Sequence, residues 1–211
     1  YNIIFHTDAV QAFGHIKIDV KKIGADMLSA SSHKFHGPKG CGFLYADKNT
    51  GIKPFIYGGG QERGQRSGTE NVPGILGMVK AAEISHRIMD ENNRKLRKIN
   101  DYMTDRILNE IDDCICNGNR ENRLSNNINV SFGNIDGKAL LVLLDMEGVY
   151  VSGASACNGG KEKSYVLSSL GVPEKYADGT IRMTMDYTMN MKQADYVLNV
   201  LKKCVNYLRK K

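Results

Sequence analysis

An α/β architecture that passes into an α+β piece is predicted by three features of this chain. Two short apolar segments, "YNIIFHTDA" and "DMLSASS", end in polar residues, as parallel strands do where they reach a ligand-binding edge. A long stretch from about Pro73 to Ile111 repeats apolar residues at helical spacing. Beyond it, strand-like and helix-like segments alternate up to the C-terminus.

The elements follow in order. "YNIIF" reads as the start of a buried strand with no Met before it, which points to a beginning partway through a fold. "HIKIDVKKIG" is a brief connection with a helical turn before Gly24. "CGFLYAD" is a third strand and "KPFIYGGG" a possible fourth. "GGGQERGQRSGTENVPG" is too rich in glycine, charge and hydroxyl to be core, and reads as a loop. In the helical stretch, Ile75, Met78, Val79 and Ala82 form one apolar stripe, continued by Ile99, Met103, Ile107 and Ile111. The polar block "DENNRKLRK" marks a bend or boundary near residue 90. "NNINVSFG" follows as a strand, "DGKALLVLLDMEG" as an Asp-capped helix ending at Gly148, and "VYVSGA" as another strand. The tail from Asn190 to Arg209, with Ala194, Val197, Val200 and Leu201, is an amphipathic helix. Residues 1–90 are therefore expected to form an α/β piece that holds the later strands of a larger sheet, and residues 91–211 an α+β piece.

Composition narrows the classes. Hydrophobic residues at 41% and charged residues at 25% of 211 are ordinary for a globular protein. No apolar run approaches the roughly 20 residues that span a bilayer, and there is no leader with a cleavage site, so no membrane partner is expected. The net charge of +6 is scattered among acids, apart from "LRKK", without an aromatic-lined basic stripe; a nucleic-acid partner is not expected either. Five cysteines, Cys41, Cys114, Cys116, Cys157 and Cys204, form an odd set with no Cys-x-x-Cys pair. That pattern fits neither a zinc site nor a disulfide framework, and agrees best with a reducing cytoplasm.

Chemistry concentrates in "FHTDAVQ" and "SASSHKFHGPKG". The amine of Lys34 can form a Schiff base with an aldehyde cofactor, of which pyridoxal phosphate is the commonest. Such a cofactor needs an acid for its ring nitrogen, a donor near its ring oxygen, and hydroxyls or amides for its phosphate. Asp8, Gln11, Ser31 and His33 supply those groups close to Lys34. Taken singly, Asp8 is equally a helix cap and Lys34 a solvated surface lysine; the grouping on neighbouring strand ends favours the site. Cys157 lies among small residues in "SGASACNGG", where residue type alone fits a buried structural thiol at least as well as a reactive one.

"HTDAVQAFG", "SSHKFHGPKGCGFLY", "GGGQERGQRSGTEN" and "SGASAC", in this order, resemble the cysteine desulfurases, which belong to the class V, fold-type I pyridoxal phosphate enzymes. The resemblance covers essentially the whole chain but only the later half of such an enzyme. It implies the later part of a fold-type I large domain over 1–90 and a small C-terminal α+β domain carrying the cysteine loop over 91–211. By resemblance, Lys34 matches the Schiff-base lysine, Asp8 the partner of the ring nitrogen, Gln11 the donor to the ring oxygen, and Ser31 and His33 the phosphate binders. Thr69 matches a threonine that reaches the phosphate of the partner subunit, implying a homodimer. Cys157 matches the persulfide-forming nucleophile, and Arg182 the arginine that grips the substrate carboxylate with its planar fork. The implied reaction takes sulfur from L-cysteine, leaves L-alanine, and hands the sulfur to an acceptor protein for iron–sulfur assembly or thiolation. Asp186 stands where the family tends to have glycine followed by a basic or amide residue, and is expected to weaken carboxylate capture near Arg182. The earlier half of the family supplies the ring-stacking histidine and further phosphate contacts, so the 211-residue chain by itself is expected to lack useful activity. The competing readings are another class V enzyme, a selenocysteine lyase or an aminotransferase, and a folded piece without catalysis.

Overall fold

The structure is a computed structural model and describes residues 3–153 and 164–210. It divides into two compact units, Tyr1–Asp90 and Glu91–Lys211. Among the described residues no helix is long and apolar enough to cross a membrane.

The first unit is built on a three-stranded sheet in the order β1 (His6–Asp8), β2 (Met27–Ser31), β3 (Gly42–Ala46). β1 runs parallel to β2, with Asp8 opposite Ser29, and β3 runs antiparallel to β2, with Gly42 opposite Ser31. Two strands that run parallel need a crossover. Here it is a turn from Ala9 followed by the single helical turn α1 (Val20–Ile23), where Asp19 accepts from the amides of Lys21 and Lys22 and Gly24 closes the turn in the left-handed region. Its apolar cluster is small: Ala9, Leu28 and Ala30 are buried, and Phe13 and Phe43 pack against them. Phe13 meets Phe35 and Phe43 edge-on with ring centroids 5.0 Å apart, and Phe35 is buried. Gly14 has to be glycine, because its φ is +82° and a Cβ would lie 2.6 Å from that of Phe35.

Two expectations fail in this unit. "YNIIF" is not a buried strand: Ile3 and Ile4 are 78% and 58% exposed, and the ladder begins only at His6. "KPFIYGGG" forms no strand, and Phe55 is 94% exposed. Apolar content alone does not make a strand; both segments lack a ladder partner, and Pro54 and three glycines weaken the second further.

α2 (Val72–Glu110) runs for 39 residues; of the bend or boundary expected near residue 90, the helix shows no bend, while the two units divide at Asp90. "DENNRKLRK" contains neither Pro nor Gly and is rich in helix formers, so its polarity lines an exposed face without interrupting the backbone.

The second unit holds an antiparallel sheet in the order β4 (Cys114–Cys116), β5 (Asn127–Phe132), β6 (Thr180–Thr184). Side chains alternate between faces. Ile128, Val130 and Phe132 of β5 and Ile181 and Met183 of β6 join one buried core with Met103 and Ile107 of α2. The same core takes Leu140 and Leu144 of α3 (Gly137–Met146) and Leu201 and Val205 of α6 (Met191–Arg209). Asp136 caps α3 by accepting from the amides of Lys138 and Ala139, and Asn190 opens α6 with a reciprocal capping box to Gln193. Two turns, α4 (Tyr165–Ser169) and α5 (Glu174–Ala177), precede β6. Gly137 meets the chain so closely that a Cβ there would lie 2.1 Å from the Asp178 carbonyl oxygen. "VYVSGA", expected as a strand, contributes a single bridge between Ser152 and Arg182 among the described residues. β4 and β6 were not expected as strands.

Candidate active site

In the first unit the geometry follows from the parallel pairing of β1 and β2. Both strands end at the same edge of the sheet, so Asp8 and Ser31 leave it together. Such carboxyl ends are where α/β sheets bind ligands. After Ser31 the chain enters a 3-10 turn over Ser32–Phe35, which carries His33 and Lys34. The buried Phe35 anchors this turn, and His36 ends it with φ at +69°. Gly37 then passes so close to Ser32 that a Cβ would lie 2.1 Å from the Ser32 hydroxyl oxygen.

Ser31 Oγ and His33 Nδ1 are 2.9 Å apart, so these two expected site residues meet directly. Asp8 accepts a bond of 2.9 Å from the amide of Val10, which starts the turn that exposes Gln11. Lys34 is half-buried. Its carbonyl accepts a bond of 3.1 Å from Nε2 of His15, a residue the sequence reading did not single out. Burial pushes the His15 imidazole below its ordinary pKa, against the opposing pull of the Lys34 carbonyl, and the nearby His36 lowers it further. The neutral ring then donates to Lys34 and ties the turn down from outside. Nothing local in the sequence signals this contact, which joins residues 19 positions apart. Thr69 is exposed between a 3-10 turn (Gln61–Gly64) and α2, and no bond to Asp8, Ser31, His33 or Lys34 is present.

In the second unit, Arg182 sits at the middle of β6, half-buried, on the face opposite the apolar core. Its backbone amide and carbonyl both pair with Ser152, at 2.6 and 3.0 Å. Its guanidinium makes no hydrogen bond or ion pair among the described residues. A cleft of about 460 Å³ opens over this face and is lined by Asn117, Asn129, Thr180, Arg182 and Leu167 among others. That size suits a small molecule. Asp186 lies beyond the end of β6, where its carboxylate accepts from the Thr188 amide at 2.7 Å and hydroxyl at 2.5 Å. Cys157 lies outside the described residues. Of the remaining thiols, Cys114 donates to the Ile111 carbonyl at 3.0 Å, and burial pushes both Cys114 and Cys204 up in pKa, which makes them poor nucleophiles.

The family model described as aminotransferase class-V matches residues 1–197. A cysteine desulfurase IscS of Dictyoglomus turgidum is 47% identical over 210 residues, covering 99% of this chain and 53% of that protein. A cysteine desulfurase IscS of Methanosarcina thermophila is 47% identical over 208 residues, covering 98% and 51%. Among solved structures, a NifS-like protein superimposes with a TM-score of 0.88 at 37% identity, over 97% of this chain and 53% of its own. A NifS-like protein from Rickettsia africae gives 0.86 at 31% identity, over 96% and 54%. The chain thus spans about half the length of the curated relatives it matches, and its mixed α/β fold is shared with NifS-like proteins over nearly all of that span. With a family match that runs through almost every element described above, the chain belongs to the aminotransferase class-V family.

Proposed function

We propose that this chain carries part of the active site of a cysteine desulfurase, which takes sulfur from L-cysteine, releases L-alanine and passes the sulfur through Cys157 to an acceptor protein. One observation carries the reading: the parallel pairing of β1 and β2 delivers Asp8, Ser31, His33 and Lys34 to one sheet edge. On this reading residues 1–90 are the later part of a cofactor-binding large domain, and residues 91–211 the small domain that carries the cysteine loop.

The donor set fits pyridoxal phosphate. The bonded Ser31 hydroxyl and His33 imidazole lie at the mouth of a backbone turn where a phosphate can be held. Asp8 offers a carboxylate for a ring nitrogen and Gln11 an exposed amide for a ring oxygen. Thr69, exposed on its loop, is assigned to the phosphate of a partner subunit in a homodimer. When bound, the cofactor supplies an electron sink for the substrate Cα. Lys34 moves the proton at that carbon, from a half-buried position on a turn pinned by Phe35 and His15. Arg182 holds the substrate carboxylate with its fork, which no group among the described residues takes. The Cys157 thiolate attacks the substrate sulfur; an S–S bond forms as the C–S bond breaks, and the electron pair stays with carbon, which takes up a proton to become the methyl of alanine. The acceptor is an iron–sulfur scaffold or a thiolation protein, and the set of cysteines fits a cytoplasmic setting.

The test uses the full-length protein that carries this chain. Borohydride reduction should fix the cofactor mass on Lys34, and Cys157→Ser should abolish alanine formation from L-cysteine while leaving the cofactor spectrum intact. Attachment at Lys39 with Lys34 untouched would overturn the lysine assignment. Full activity of Cys157→Ser would overturn the sulfur-transfer step, and retained turnover of L-selenocysteine alone would favour a selenocysteine lyase.

A further inference from the structure

The polar face of the second unit's sheet contains a one-way chain of hydrogen bonds that ends beside Arg182. Thr180 Oγ1 donates to the Tyr176 carbonyl at 3.2 Å. A hydroxyl has one hydrogen, so at the 2.6 Å contact between Ser131 Oγ and Thr180 Oγ1 the donor is Ser131. With its own hydrogen committed, Ser131 Oγ has to accept from the Asn117 Nδ2 that lies 2.7 Å away. The other hydrogen of that Asn117 NH2 group reaches Asn129 Oδ1, also at 2.7 Å. A carbonyl that can only accept thus dictates, three residues away, that Asn129 turns its oxygen towards Asn117 and keeps its NH2 group clear. No acceptor among the described residues takes that NH2. The orientation persists even though it leaves Asn117 Oδ1 buried without a partner, in a residue only 5% exposed.

Asn129 is directly opposite Arg182 in the β5–β6 register. Arg182 spends both backbone groups on Ser152, and the Asn129 carbonyl accepts from Asn117, so the two face each other as a non-hydrogen-bonded pair. In antiparallel sheets this is the pair with the closer side chains, Cα atoms about 4.5 Å apart. Both line the same cleft. An amide NH2 and a guanidinium, both without acceptors among the described residues and adjacent on one face, form an array of donors suited to a planar anion.

We propose that Asn129 is a second ligand to the substrate carboxylate held by Arg182, and that Asn117, Ser131 and Thr180 are positioning residues that set its amide. This rests on the reading of Arg182 given under the proposed function. The test uses the full-length protein with its cofactor: calorimetric titration with L-alanine, and kcat/KM for L-cysteine against cysteamine, which lacks the carboxylate. Asn129→Asp keeps an oxygen for Asn117 and the same shape, but replaces the free NH2 by an acceptor. It should weaken L-alanine by about tenfold to a hundredfold, raise KM for L-cysteine with kcat little changed, and leave cysteamine unaffected. Asn129→Ala, which introduces no charge, should weaken L-alanine in the same sense, and Thr180→Val, which cuts the relay at its anchor, by less. If Arg182→Lys weakens L-alanine while Asn129→Asp and Asn129→Ala bind it as the parent does, the role of Asn129 is overturned and that of Arg182 stands. If Arg182→Lys also binds as the parent does, the reading of the cleft falls and this inference falls with it.

Discussion

The two units place polar chemistry on β-structure in opposite ways. In the first, the candidate residues sit where strands end: Asp8 and Ser31 leave a parallel pair, and Lys34 follows on a 3-10 turn. In the second, Arg182 and Asn129 sit in mid-strand, on the polar face of an antiparallel sheet whose other face is core. The support differs as well. Among the described residues, Ala9, Leu28 and Ala30 form the small buried cluster beneath the first sheet, whereas the second sheet belongs to a continuous core reaching α2, α3 and α6. A strand end gives chain freedom to aim a lysine; a mid-strand position gives an arginine and an amide fixed spacing.

The largest effect that tests this contrast is on the core. Phe132 is fully buried, and Phe132→Ala should lower the unfolding free energy by about 3–5 kcal/mol, read by urea denaturation of the full-length protein. Leu28→Ala in the first unit should cost about 2 kcal/mol, the low end for a buried leucine, because its fully buried neighbours are two alanines and the half-buried aromatics can close over the gap. Equal losses from the two substitutions would remove the difference in support. The smallest effect is a pH dependence from His15. Its folded pKa is lowered, chiefly by burial, so its contribution to stability is complete above about pH 6.5 and is lost as pH falls from there through the lowered value. Measured from pH 7.5 to 5, the unfolding midpoint of His15→Gln should fall less than that of the parent; identical profiles would show that the burial of His15 carries no such linkage.

The legibility of the chain follows the range of the interactions. The Asp136 cap, the Asn190 capping box and the closing Gly24 all act within a few residues, and each helix they bound appears where the local pattern puts it. The stripes on α2 and α6 were equally plain, since helical spacing needs no partner to be read. Strands were harder. "KPFIYGGG" and "YNIIF" have the composition of strands but find no ladder, while the three residues of β4 carry almost no pattern and gain their state from β5. β6 does alternate, yet its "TIRMT" was noticed only for its arginine.

The sequence by itself determined the family and the approximate bounds of α1, α2, α3 and α6, because motif order, caps and helical periodicity are written in neighbouring residues. Only the tertiary structure decided that His15 holds the Lys34 turn from across the unit, and that Asn129 stands beside Arg182 with an NH2 that no acceptor among the described residues takes. Those facts depend on strand register and on the direction of hydrogen bonds through a buried network, both of which are set between segments far apart in the chain.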